Sequence, residues 1–139
     1  MRAADRSYES LILGEQVSFD VVIAEEDVAT FAQLSGDQNP LHTDDVYAEA
    51  TQFKKKVVHG MFLGALVSRL VGMRLPGRHA LLLRESLEFK KPVMIGDTVT
   101  VTGTLVQKSD ATRLIEIKVS ITVDETVVAR GAVTVRLLV

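Results

Sequence analysis

His59-Gly60-Met61-Phe62-Leu63-Gly64-Ala65-Leu66-Val67-Ser68-Arg69-Leu70-Val71-Gly72-Met73-Arg74-Leu75 leaves Ser68, Arg69 and Arg74 as its clearly polar positions after the opening histidine. A helix that is apolar around most of its circumference is expected to be buried on most sides. At 1.5 Å per residue it would run about 25 Å, and Pro76-Gly77 would end it. From Leu81 onward the chain reads as β-structure. Residues 81–90 form a strand-like run. From Asp97 to Gln107, Val99, Val101 and Leu105 share one face, while Thr98, Thr100, Thr102 and Thr104 share the other. Ile115, Ile117, Val119 and Ile121 line one face of 114–123, and 126–139 alternates through Val127, Ala129, Val133 and Val135. Alternation of period two predicts an antiparallel sheet with one dry and one wetter face. Lys108-Ser109-Asp110-Ala111 and Asp124-Glu125 suit the connecting hairpins. A dry sheet face must be covered, and the 59–75 helix is the only element long and apolar enough to do so. The expected fold class is therefore α+β, an antiparallel sheet wrapped around one long central helix. Its open edges predict a homodimer.

Upstream, Val17-Ser18-Phe19-Asp20-Val21-Val22-Ile23 reads as a short strand. Residues 24–34 take helical spacing, with Glu25, Glu26 and Asp27 in the first turn, where the helix dipole favours negative charge. Gly36 is placed to cap that helix in the left-handed region. Asp44 or Asp45 can cap a second short helix toward Thr51. The polar first ten residues are expected to be held only loosely.

The chain has 139 residues, enough to bury about 68% of its unfolded surface in a single domain spanning 1–139. Net charge is −2, from 16 basic and 18 acidic residues, which argues against a nucleic-acid binder. There is no cysteine, so disulfides, thiolate chemistry and Cys-based metal sites are excluded. No apolar run reaches the roughly 18 residues of a membrane span, and the N-terminus lacks a signal-peptide core, so the location expected is cytoplasmic. His42, His59 and His79 are not spaced as a zinc set, and no metal is expected. Neither a nucleophile elbow nor a glycine-rich phosphate loop occurs, so no nucleotide cofactor is expected.

The chemistry concentrates in Phe31-Ala32-Gln33-Leu34-Ser35-Gly36-Asp37-Gln38-Asn39-Pro40-Leu41-His42. A carboxylate and an imidazole lie five residues apart on a loop stiffened by Pro40, and these are the groups best able to move protons near neutral pH. Gly-Asp-x-Asn-Pro is also ordinary turn chemistry, with Asp and Asn bonding nearby amides. On spacing alone the turn is the simpler reading.

Resemblance tips the balance. Phe31, Leu34, Ser35, Gly36, Asp37, Asn39, Pro40, Leu41, His42 and Ala48 match, without departure, the signature of the MaoC-like (R)-specific enoyl-CoA hydratases. Val57-Val58-His59-Gly60-Met61, Ser86-Leu87-Glu88-Phe89-Lys90-Lys91-Pro92-Val93 and Gly96-Asp97 extend the resemblance from about residue 10 onward. It implies a hot-dog fold and reversible syn hydration of a trans-2-enoyl-CoA to an (R)-3-hydroxyacyl-CoA. Such an activity serves β-oxidation or polyester precursor supply. Coenzyme A would enter as part of the acyl-CoA thioester substrate, with no other cofactor. By this resemblance Asp37 is the base toward water, His42 holds the same water and protonates C2, and the Gly60 N–H receives the thioester oxygen. Asn39 and His59 are expected around the substrate as organisers of the loop. Within the Met61, Phe62, Leu63, Leu66 and Leu70 stripe, otherwise read as core, Met61 and Phe62 are the members expected to touch the acyl chain. Lys54-Lys55-Lys56, Arg74 and Arg78 are candidates for the coenzyme A phosphates. Three alternatives remain open: dehydration of acyl-carrier-protein substrates, thioester hydrolysis, and an acyl-CoA-binding subunit without activity.

Overall fold

Val99, Val101, Gly103 and Leu105 alternate inward along β3 (Thr98–Ser109), and Ile115, Ile117, Val119 and Ile121 do the same along β4 (Leu114–Val123). The computed structural model describes residues 1–139. It adds β1 (Gln16–Val22), β2 (Ala80–Phe89) and β5 (Thr126–Leu137) to give one antiparallel sheet in the order β1-β3-β4-β5-β2. The β4–β5 hairpin turns on Asp124 and Glu125, both with positive φ (47° and 66°), the conformation of a type I′ turn whose twist matches that of its strands. The hairpins expected from the sequence are thus present.

A 3-10 turn at Tyr8–Ser10 and four α-helices complete the chain: α1 (Glu25–Ser35), α2 (Pro40–Thr43), α3 (Asp45–Ala50) and α4 (Gly60–Met73). α4 is the central helix, at 14 residues about 21 Å long and somewhat shorter than the sequence suggests. It lays Leu63, Leu66, Val67, Leu70 and Val71 on the dry face of the sheet. Leu70 sits over Gly103, where a β-carbon would come within 2.7 Å of the leucine methyl. A second close approach lies at Gly131 of β5, where a β-carbon would fall 1.7 Å from the carbonyl oxygen of Ser86 on β2.

Two expectations are corrected. Val127 is exposed, because a bulge at Val128 shifts the register between β4 and β5 and reverses the alternation there. The first ten residues are tied down. Ala4 bonds Met73 and Arg78 through the backbone, Asp5 pairs with Gly77, and buried Tyr8 donates its hydroxyl to Asp110 at 2.7 Å. α4 is buried on most sides, as expected, and one face stays open. Met61, Ala65, Ser68 and Arg69 form an exposed stripe at spacings of four, three and one, which is one face of a helix.

Candidate active site

Local bonding builds the 36–42 loop step by step. α1 stops where Gly36 turns left-handed (φ 78°), its N–H returning to Ala32. The Asp37 N–H donates to the Ser35 hydroxyl at 3.2 Å, and the Asn39 N–H donates to Asp37 Oδ1 at 3.2 Å. Asn39 Oδ1 then accepts the Leu41 N–H at 3.0 Å, capping α2, with Pro40 in the first helical position. Asn39 therefore orients the Asp37 carboxylate through its backbone, while its side chain serves the helix. Its Oδ1 organises the loop and is already occupied. α2 is absent from the sequence expectations. Its four residues are too few for periodicity to reveal, although the Asn-Pro pair is a helix-start signal.

This short helix points His42 at the segment leading into α4. His42 Nδ1 lies 2.6 Å from the carbonyl oxygen of Val57. A carbonyl only accepts, so Nδ1 carries the hydrogen and Nε2 is left for a ligand. His59, 1% exposed, uses Nε2 to donate to the backbone carbonyl of Asp37 at 3.0 Å. Its ring stacks on His42 with centroids 3.9 Å apart and planes at 25°, and Phe31 meets it edge-on at 5.0 Å. The Nδ1 atom of His59 is buried without a partner. Asp37, His42 and His59 each place a ligand-type atom within 4.8 Å of the others, a grouping concealed by their linear spacing. Two of the four ring nitrogens are already engaged by backbone carbonyls.

Beside this pair runs a groove of about 390 Å³, bordered by His42, Val58, Gly60, Leu63, Phe89 and the 90–93 segment. Gly60 opens α4, and its N–H has no acceptor within the chain, as expected of a first-turn amide. A β-carbon at Gly60 would lie 3.1 Å from the Phe89 ring, so the glycine keeps the groove floor open. A second, more polar hollow of about 490 Å³ reaches His42 from the α1 side, but it does not include Gly60.

The structure thus brings Asp37, His42, His59 and Gly60 together. It does not bring Met61 or Phe62 into the groove. Met61 is 66% exposed on the outer stripe of α4. Phe62 packs edge-on against Phe31 at 5.5 Å, behind His59. The apolar wall comes from Leu63, Val58 and Phe89, of which Leu63 reads as core in the sequence. The other two lie in the stretches that carry the resemblance.

An acidic side chain on a short loop and an imidazole on the one-turn helix that follows it, beside the first turn of a helix sheathed in antiparallel sheet, define the class: hot-dog proteins with an Asp–His pair. Residues 10–128 match the model of the MaoC like domain, and the chain belongs to that family. It is 39% identical over 128 residues to an (R)-specific enoyl-CoA hydratase of Rhodospirillum rubrum, covering 92% of this chain and 89% of the relative. It is 45% identical over 94 residues to one from Aeromonas caviae, covering 68% and 70%. The solved (R)-hydratase from A. caviae involved in PHA biosynthesis superposes with a TM-score of 0.90 at 35% identity, covering 93% of this chain and 98% of that one.

Proposed function

We propose that the protein adds water reversibly to a trans-2-enoyl-CoA to give the (R)-3-hydroxyacyl-CoA. The observation that carries this reading is the approach of the Asp37 carboxylate and His42 to within 4.8 Å, a gap that one water molecule bonded to both would bridge. Asp37 removes one proton of that water as its oxygen attacks C3. His42, with Nδ1–H on Val57 and a second proton on Nε2, delivers the latter to C2. Charge on the thioester oxygen is received by the free Gly60 N–H at the positive end of α4, an interaction of the kind worth about 2.7–4 kcal/mol in other oxyanion sites. Once product leaves, the proton on Asp37 returns to His42 through the next water. Both donor and acceptor lie on one side of the substrate, which supports syn addition.

The same reading includes a homodimer and a cytoplasmic location. β2 has a neighbour only in β5, and it exposes Leu81, Leu83 and Phe89. β1, the other edge, exposes the polar Gln16, Ser18 and Asp20 and one large apolar residue, Val22. Pairing of two β2 edges would remove the apolar one. No helix is long and apolar enough to cross a membrane.

The test is the enoyl-thioester absorbance of crotonyl-CoA. The wild type should bleach the band without freeing thiol, and chiral analysis should give the (R)-alcohol. Asp37→Asn and His42→Ala should each lower kcat about 10²- to 10⁴-fold. Thiol release, or activity that survives both changes, would overturn the assignment. Light scattering should report two chains per particle, and Leu83→Lys should shift the population toward one.

A further inference from the structure

Most of the basic groups that the sequence offers for a phosphate are already engaged. Lys56 is bonded to Glu25 and lies 3.5 Å from Asp45, and Glu25 holds its ammonium above the usual lysine range. Lys54 and Lys55 share its hollow with Glu25, Asp45 and Glu49. Three carboxylates against three ammonium groups leave little net field for an anion. Arg78 is paired with Asp5 at 3.3 Å. Arg74 lies over the Phe19 ring, past the end of α4 opposite to Gly60.

The groove holding His42 and Gly60 has a different character. Its 89–93 wall carries Lys90 and Lys91, and no carboxylate lines it. Lys90 is bonded to Glu88 at 2.6 Å, whereas Lys91 forms no ion pair and is exposed. The backbone beneath them is fixed. The N–H groups of Lys90 and Lys91 both donate to the Val128 carbonyl, at 2.7 and 3.2 Å. Two residues on, the Val93 carbonyl accepts the Val58 N–H at 2.8 Å, immediately before His59. An unpaired, exposed cation therefore borders an acid-free groove, on a segment bonded to the wall of the reaction site.

We infer that Lys91 is the carrier-recognition residue and binds the phosphates of coenzyme A. The thioester carbonyl rests on Gly60, the pantetheine arm follows the apolar wall of Phe89 and Pro92, and the phosphates meet the Lys91 ammonium where the groove opens. The inference rests on the enoyl-CoA reading above.

The experiment compares KM for crotonyl-CoA and for crotonyl-pantetheine, which has the same acyl group and arm but no phosphate. Lys91→Ala should raise KM for crotonyl-CoA about three- to tenfold, with a smaller change for crotonyl-pantetheine and little change in kcat. Lys91→Arg should restore the CoA preference, and Lys54→Ala should leave it as in the wild type. Added salt should erode that preference in the wild type more than in Lys91→Ala. Equal changes on both substrates, no change, or a CoA-selective effect at Lys54 would each overturn the inference. If the wild type hydrates neither thioester, the hydratase reading is the part that has failed. Calorimetric titration with free coenzyme A then decides the site: weaker binding to Lys91→Ala supports it, and equal or absent binding refutes it.

Discussion

The imidazole of His42 lies flat on that of His59, 3.9 Å between centroids, and each ring also hangs from a backbone carbonyl, Val57 for the first and Asp37 for the second. His59 therefore touches both sides of the proposed proton relay while its own ring is sealed from solvent. It is a positioning residue. Its bond holds the Asp37 loop, and its face sets the tilt of His42.

His59→Phe keeps a flat ring for stacking and loses the donor to Asp37. The freed carbonyl belongs to an exposed residue and can be solvated, so stability should change little. Displacing reacting groups by about 1 Å can cost 10²-fold in rate, so kcat should fall about 10- to 100-fold with KM nearly unchanged. A thermal melt and a Michaelis plot on crotonyl-CoA check the two halves of this prediction. A large loss of melting temperature would mean that His59 serves the fold instead.

Gly60→Ala brings a β-carbon to 3.1 Å from the Phe89 ring. Alanine is the better helix former by up to about 1 kcal/mol, so the melting temperature should hold or rise. The ring must give by a few tenths of an ångström, which narrows the groove at the oxyanion donor. kcat/KM should drop about tenfold, and Phe89→Leu in the same chain should recover part of the loss. Activity equal to wild type in the single variant would show that the groove floor is not where the thioester sits.

Two sheet glycines should respond very differently to the same change. At Gly131 the added carbon would lie 1.7 Å from backbone oxygen of the neighbouring strand, which cannot move without parting β2 from β5. At Gly103 it would meet a methyl of Leu70, the far end of a flexible side chain, at 2.7 Å. Gly103→Ala should cost about 1–3 kcal/mol in denaturant titration, the usual range for overpacking. Gly131→Ala should fail to give folded protein at all.

Glu85 faces α4 near Gly64, with one carboxylate oxygen buried and unpartnered, and burial holds its pKa above the ordinary 4.5. The protonated form suits the fold better. Its contribution to stability is full below the unfolded-state value and fades as pH rises through the folded-state value. Glu85→Gln should therefore melt higher than wild type at neutral pH, with the gap closing below about pH 4.5. Parallel melting curves between pH 4 and 8 test this. A constant gap would mean that the carboxyl is well solvated.

The sheet was readable because β3 from Val99 to Leu105 and β4 from Ile115 to Ile121 alternate strictly, and every inward position there is aliphatic or glycine. The central helix was readable from its unbroken apolar composition. The phase error at Val127 has a plain cause, since a bulge inserts one residue without any mark in the alternation, and Val127-Val128-Ala129 offers apolar residues in every register. Met61 and Phe62 read alike in sequence, yet one faces outward and the other packs behind His59. Only the angular position of the helix separates them. The Asp37–His42 pair was legible through the resemblance. The contact between His59 and Asp37 spans 22 residues and runs through a backbone carbonyl, which leaves no trace in side-chain spacing. Which lysines are neutralised by carboxylates is equally a matter of packing. Residue 91 is absent from the basic candidates read in the sequence, and its lack of an ion pair emerges only in the fold.

The Val128 bulge reaches beyond the register it disturbs. Its carbonyl takes up two successive amides of the 90–91 segment, so that stretch keeps its path whatever side chains it bears. Positions 90 and 91 are thereby an exchangeable cassette: an engineer seeking a different thioester handle can swap residues there without redrawing the main chain.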